Sequence, residues 1–354
     1  MSSAIVKLVT EFVLALIHLR NVNLTEIALA ICGEAQVSSG YRRLQRFFAK
    51  AEICSKCLAK LLVKLAKLED KKWMLIMDRT NWKFGRLHIN ILVLSIESFG
   101  VSIPVLWSML DNKGGNSNSK QREDLLNSFI KIFGTKTISS LLADREFIGD
   151  HWLKFLQDKG INFYIRIRSD LTIGRSEGEL VTANSKVKKL KNNESIVLKG
   201  QRYLGKNYRG PKVRIAALRS DKGELVIIAT NDKPGCALEI YRQRWAIESL
   251  FGCLKTRGFN FENTHMTELA KIEKLLAILA IAFTLCHIVG IWRHEAKPIT
   301  LKTHKRKSMS LFRYGLDYLR QMLFRPLDLV TKLLDIIYLF RPQDSYNQKS
   351  LIIC

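Results

Sequence analysis

The chain has 354 residues, 47% of them apolar, which excludes a disordered chain and allows one large domain or two to three smaller ones. Its 57 lysines and arginines outnumber 32 aspartates and glutamates, and a net charge of +25 calls for an anionic partner, nucleic acid or an acidic membrane surface. The seven cysteines are odd in number and hold a single CxxC, Cys54–Cys57, which excludes a disulfide framework or a paired zinc site and reads as reduced cytosolic thiols.

Taken in chain order, residues 1–70 read as all-helical. Lys7, Glu11 and His18 interrupt the apolar N-terminal run, so it is an amphipathic helix and not a secretory signal. Asn23 has the chemistry of a helix cap. After a Gly-containing break, Ser38-Ser39 opens a helix carrying Arg42, Arg43 and Arg46. Helix, turn and basic helix is the way a recognition helix enters a DNA groove, and these three arginines are candidate DNA contacts.

From residue 71 the hydrophobic period shortens. "KWMLIMDRT" is a buried-strand run ending at Asp78, and "HINILVLSIES" and "GVSIPVLWSML" are two more strands with Gly100 at the turn. "SKQREDLLNSFIKIFG" reads as a helix ending at Gly134, "TISSLLADREF" as a fourth strand ending at Asp144, "GDHWLKFLQDKG" as a helix and "INFYIRIRSD" as a fifth strand. The order predicts a mixed α/β sheet with helices on its faces. Residues 171–235 are rich in Lys, Gly, Asn and Ser with short strand-like pieces, as in a small basic β insertion. "GCALEIYRQRWAIESLFGCLKTRG" returns to helix. "KLLAILAIAFTLCHIVGIW", Lys274 to Trp292, lacks charge for about 18 residues, the lower limit for a membrane span. Charged helical sequence precedes it, so a buried core helix fits better and no membrane is expected. The chain then becomes irregular and basic.

Asp78 and Asp144 both end an apolar strand and are both followed by Arg. In sheets with helices on both faces, active residues gather at such ends. Two carboxylates at equivalent places suggest a divalent-metal site built from hard oxygen ligands. A third ligand is expected from the helix. At about 100° per residue, with Tyr241 at zero, Arg244 falls at about –60°, Glu248 at about –20° and Lys255 at about –40°. Trp245 flanks this sector, and Ala246, Ile247, Leu250, Cys253 and Leu254 lie opposite, as a face that packs on the sheet. Gly252 leaves the polar face low enough for a backbone to approach. A carboxylate flanked by cations along one ridge suits Glu248 as metal ligand with Arg244 and Lys255 on phosphodiester. Arg79 and Arg145, next to the aspartates, are read as neutralising the acidic cluster. The polar stretch Asp111 to Arg122 is read as a surface loop near the site.

At these residues the chain resembles the DDE insertion-sequence transposases of the subgroup defined by Tyr-x2-Arg-x3-Glu-x6-Lys. Tyr241, Arg244, Glu248 and Lys255 match that spacing without a gap. "MDRT" around Asp78 and "ADREF" around Asp144 look like the first and second aspartate motifs, with Glu146 standing where the second motif usually has glycine. The resemblance covers residues 71–260. It implies a ribonuclease H-like core, 71–170 and 236–290, interrupted by the β-rich basic insertion 171–235. It places a helical DNA-binding region at 1–70 and a basic region at 291–354 that serves dimerisation. It implies Asp78, Asp144 and Glu248 as catalytic ligands of two magnesium ions, or manganese. It also implies cleavage of transposon ends in double-stranded DNA through a hairpin, and joining to target DNA by a homodimer in the bacterial cytoplasm. Tyr241, Arg244 and Lys255 would grip phosphates, and Trp245, Trp82 or Trp107 would stack a flipped base. The same residues leave two alternatives, a nuclease on this core that never joins strands, and a non-catalytic DNA-binding protein.

Overall fold

The computed structural model describes residues 2–324 apart from 34–35, 70, 112–114, 176–178, 206–209 and 304. Part of the expected polar loop and the C-terminal stretch 325–354 therefore lie outside the described residues. Residues 1–281 form one compact unit and 282–354 a second.

The first unit begins with four helices, α1 (Ser3–Leu19), α2 (Leu24–Ile31), α3 (Val37–Lys50) and α4 (Ser55–Leu65). Asn23 caps α2 as its sequence requires, its side chain accepting from the Thr25 amide at 2.9 Å. α3 starts one residue before the serine pair, with Gln36 in the cap position. Gly40 brings α3 against α2, because a Cβ there would stand 3.0 Å from the Ala28 carbonyl oxygen. Cys54 caps α4, its sulfur accepting from the Cys57 amide at 3.3 Å. Both belong to the free thiols of the described chain.

An antiparallel meander follows, β1 (Trp73–Phe84), β2 (Leu87–Ser98) and β3 (Val101–Met109). β2 is buried residue after residue from Ile89 to Ile96, the mark of a strand covered on both faces. α5 (Ser119–Phe133) opens with a reciprocal cap between Asn118 and Gln121 and packs against β2 and β3. β4 (Ile138–Ala143) pairs parallel to β1, α6 (Asp150–Asp158) follows, and β5 (Phe163–Ile167) pairs parallel to β4. These elements fall where apolar run, cap and glycine predict.

Residues 171–235 do form β structure: β6 (Thr172–Gly174), β7 (Val181–Thr182), α7 (Ala183–Val187), β8 (Ser195–Leu204), β9 (Val213–Arg219) and β10 (Leu225–Thr230). They do not stand apart from the sheet. β10 pairs antiparallel with β5, from Ile227 opposite Ile167 to Thr230 opposite Tyr164. The result is a ten-stranded sheet in the order β3-β2-β1-β4-β5-β10-β9-β8-β6-β7. α8 (Ala237–Arg242) packs against β5, β9 and β10, and α9 (Trp245–Leu254) lies against β1, β2 and β3.

α10 (Leu269–Ala296) is long and apolar enough to cross a membrane, the one such helix among the described residues, and 78% of its most apolar stretch is buried inside the protein. In the second unit its C-terminal half meets α11 (Leu311–Phe324) through glycines. A Cβ on Gly290 would overlap the Leu311 carbonyl, and one on Gly315 the Cys286 carbonyl. Phe283 and Phe312 stack beside this crossing at 5.1 Å between centroids.

The β2–β3 turn is strained at one position. Ser98 pairs with Val101, so Phe99-Gly100 is a two-residue loop with φ of 51° and 81°. Such a turn needs positive φ at both residues, which suits Asn-Gly and not an exposed aromatic. Phe99→Asn is expected to raise stability by about 1 kcal/mol, read as a higher urea midpoint with unchanged slope.

Candidate active site

The last rung of the β1–β4 pairing joins Met77 to Ala143. Asp78 and Asp144 are the next residues on two adjacent parallel strands, so the ladder itself delivers the two carboxylates to neighbouring positions. They leave it differently. β4 ends at Ala143, whereas β1 continues beside β2 to Phe84, well past the strand end read from the sequence at Asp78. Asp78 thus sits mid-strand, where β4 has ended and β1 runs on beside β2 and β3 as far as Thr80 before only the β1–β2 ribbon remains.

The segment from α8 to α9 brings the third carboxylate. Arg244 Nη1 donates to Asp78 Oδ2 at 2.8 Å, and Arg244 Nη2 lies 3.5 Å from Glu248 Oε1. The Tyr241 hydroxyl donates to Asp144 Oδ1 at 3.4 Å, and the Arg244 guanidinium lies 5.8 Å from the Tyr241 ring centroid. The Asp78 Oδ1 atom accepts from the amide of Arg79 at 2.8 Å. Tyr241 therefore reaches Asp144, and Arg244 joins Asp78 to Glu248.

Their exposure departs from the expected solvent ridge. Tyr241 and Arg244 are each only 9% exposed, while Trp245 is 67% exposed. The cause is local. The Arg244, Ala246 and Ile247 amides bond to carbonyls three residues back, on Tyr241, Gln243 and Arg244, so the helix overwinds between α8 and α9. That turns each residue by about 20° more than an α-helix does. The apolar face is as expected, with Ala246, Ile247, Leu250, Cys253 and Leu254 buried, and Phe251 with them. Two other expectations are corrected. Lys255 caps α9 and sits apart from the acidic cluster, its Nζ 2.7 Å from Glu262 Oε1, 3.4 Å from the Asn81 carbonyl and 5.4 Å from the Trp82 ring centroid. Gly252 is covered by the Arg257 side chain, 3.1 Å from where a Cβ would stand, and offers no approach to a backbone.

Arg79 holds Glu146, not the catalytic candidates. Adjacent residues of a strand point to opposite faces, so Arg79 cannot turn to Asp78's side. It forks Glu146 instead, Nε to Oε1 at 2.9 Å and Nη2 to Oε2 at 2.9 Å, and also donates to Asn90 Oδ1 at 3.0 Å. Arg122 donates to the Glu146 carbonyl at 3.0 Å and to Ser117 Oγ at 2.9 Å, and Asn90 donates to the Gly115 carbonyl at 3.0 Å. Glu146, read in the sequence as a departure from a glycine, is the centre of a polar network that ties the start of α5 and its preceding loop to β1 and β2. Its signal was the Asp-Arg of β1 facing a Glu two residues beyond Asp144. Arg145 is exposed.

The remaining candidates divide by exposure. Arg42 and Arg46 are exposed on α3, whereas Arg43 is held by Glu11 at 3.0 Å. Of the three tryptophans, Trp82 packs on Phe261 at 4.8 Å, Trp107 is half-buried and Trp245 stands in solvent.

Burial raises the Asp78 carboxyl to about 7, with Glu248 and Asp144 adding to the rise and Arg244 and the Arg79 amide opposing it. Burial likewise pushes the Tyr241 phenol up, so it remains a proton donor to Asp144. Burial works against the Arg244 cation, but Tyr241, Asp78, Asp144 and Glu248 outweigh it and hold its proton more tightly than usual. Three carboxylates grouped near one cation are the hard-oxygen chemistry that a divalent ion would take. Among the described residues no three acids, histidines or cysteines are arranged to share one ion, because Arg244 stands between Asp78 and Glu248.

A family model described as the transposase DDE domain matches residues 51–285, from the approach to α4 into α10 and across all three carboxylates. The chain belongs to the DDE transposase family. No curated protein sequence matches it. A solved piggyBac transposase synaptic complex with hairpin DNA is similar over 79% of this chain, at 13% identity and a TM-score of 0.39. This chain spans 60% of that chain's length.

Two measurements test the electrostatics of the site. The folded state keeps the Asp78 proton up to about pH 7, while the unfolded chain releases it near 3.8. The folded state therefore binds more protons between those values. Protein kept in chelator loses stability as pH rises through that window, on the order of 4 kcal/mol in full. Asp78→Asn is expected to remove this slope in urea denaturation, whatever constant offset the lost Arg244 partner adds. Glu146→Ala removes the charged partner of the largely covered Arg79 guanidinium, leaving it neutral acceptors such as Asn90, and is expected to cost about 2 kcal/mol, with a coupling of more than about 1 kcal/mol in a cycle with Arg79→Ala.

Proposed function

We propose that the chain is the transposase of an insertion sequence in the Tyr-x2-Arg-x3-Glu-x6-Lys subgroup. It binds the terminal inverted repeats, cleaves the DNA ends through a hairpin and joins them to target DNA. The observation that carries this reading is the meeting of Asp78, Asp144 and Glu248 around Arg244, from a mid-strand position, a strand end and a helix far apart in sequence. The order β3-β2-β1-β4-β5, with β2 alone running opposite to the other four, supports a ribonuclease H-like core.

Asp78, Asp144 and Glu248 would hold two magnesium ions, or manganese. When bound, these would stabilise charge on the transferring phosphoryl group and make water a better nucleophile. The chain's own residues do the positioning. The Tyr241 hydroxyl fixes one oxygen of Asp144 and leaves the other to the site. Arg244 offers a planar fork that matches a phosphodiester as well as it matches a carboxylate. Lys255 reaches phosphate by leaving Glu262, with the Trp82 ring as its support. Trp245, exposed beside Arg244, is the aromatic placed to stack a displaced base. Arg42 and Arg46 on α3 contact the DNA backbone, with residues 1–70 as the end-binding region and 291–354 as the dimerisation region. The +25 charge fits double-stranded DNA as partner and the cytoplasm as the place of work.

The test is Glu248→Gln, with Asp144→Asn beside it, on labelled DNA carrying the element's ends. Each is expected to cut metal-dependent nicking by at least about a thousandfold while end binding in a mobility-shift assay stays within about twofold. Undiminished nicking by Glu248→Gln would remove the assignment. Ends supplied already cut should be joined to target by wild type, and their accumulation unjoined would make the protein a nuclease only.

A further inference from the structure

We propose that Arg244 is a latch on the acidic cluster, a built-in cation that occupies Asp78 and Glu248 until a DNA phosphate draws it away and a divalent ion takes its place. This rests on the reading of Asp78, Asp144 and Glu248 as the metal-holding set.

Three observations carry it. Arg244 contacts two of the three carboxylates at once, Asp78 at 2.8 Å and Glu248 at 3.5 Å, through different nitrogens of one rigid fork. The Asp78 oxygen it engages is the one left over after the Arg79 amide has taken the other. A divalent ion held by these acids would compete with the guanidinium for Asp78 Oδ2 and be repelled by its charge, so ion and Arg244 oppose each other. The way out is also visible. The Asp78 side of the pair is nearly closed, at 14% side-chain exposure, while Glu248 is 42% exposed and exposed Trp245 adjoins it. An arriving phosphate thus meets the guanidinium on the Glu248 side.

The exchange is chemically matched. A phosphodiester presents two coplanar oxygens to the fork, as the carboxylates do, and takes the cation with no net loss of paired charge. The carboxylates left behind repel one another and regain their demand for a cation. DNA binding and ion binding therefore assist each other, and the linkage is reciprocal. In the DNA-free protein the ion is held weakly, which keeps the acidic cluster from hydrolysing stray phosphodiesters.

The experiment measures Mn2+ binding by calorimetry and by the loss of the free-ion paramagnetic resonance signal, on the full chain without DNA. Arg244→Gln is expected to bind Mn2+ at least about tenfold more tightly than wild type, since one close opposing charge is gone. Arg244→Lys keeps a charge but cannot span two carboxylates, and should fall between them. It also serves as the readout should the glutamine variant fail to give a cooperative melt. Asp78→Asn added to Arg244→Gln should abolish the gain. A duplex of about twenty base pairs should tighten Mn2+ binding to wild type by a similar factor and leave Arg244→Gln nearly unchanged. Asp78-dependent binding that is equally tight in wild type and both variants overturns the latch and leaves the metal reading intact. Absence of Asp78-dependent binding in every form, with and without DNA, overturns the metal reading and the latch with it.

Discussion

Three carboxylates brought together under a protein surface repel one another, and the structure tolerates them because one guanidinium stands among them. Most of the site's arrangement answers to this constraint. Asp78 is pushed towards neutrality by burial and by its acidic neighbours, and Arg244 is what resists that push most strongly. Tyr241 contributes a proton donor to Asp144 without adding charge. The second cation close by, Arg79, is kept on the opposite face of β1 by strand alternation and neutralises Glu146 instead. The fold thus divides its charges into two sets on either side of one strand, the Arg79–Glu146 pair on one face and the carboxylates gathered by Arg244 on the other.

The scaffold places these groups economically. Parallel pairing of β1 with β4 fixes two aspartates relative to each other before any side chain packs. The buried face of α9 docks on β1, β2 and β3, which fixes Glu248 relative to that pair. A single overwound turn between α8 and α9 then carries Tyr241 and Arg244 inward. The Glu146 network adds a tie from the loop before α5 to the same strand, so that the site is backed by polar bonds as well as by the apolar sheet.

Much of this was legible in the sequence because it depends on short-range pattern. Apolar runs marked β1 to β5, glycines marked the turns, and the three-, four- and seven-residue spacings around Glu248 pointed to one sector. What was not legible depends on partners distant in the chain. A helical wheel assumes uniform winding, and nothing in "YRQRW" announces the three-residue bonds that bury Tyr241 and Arg244. Lys255 fitted the wheel, yet α9 ends before it and Glu262, on the following turn, holds it. The strand pieces of 171–235 were visible, but that β10 would join β5 and continue the sheet could be read only from the pairing. Arg79 next to Asp78 looked like a local counter-ion, and the alternation of a strand says otherwise.

The ribbon formed by β1 and β2 beyond Thr80 has a mechanical meaning. A lone two-stranded hairpin is marginal in water, so this one depends on its props, Trp82 against Phe261 and Phe84 stacked on His265. The props belong to the stretch that leads out of α9, and the strand they steady runs without a break into the carboxylate. Any load on the ribbon's tip or on that stretch therefore passes along continuous backbone to the edge of the three-stranded sheet at Thr80, next to the turn of strand that carries Asp78.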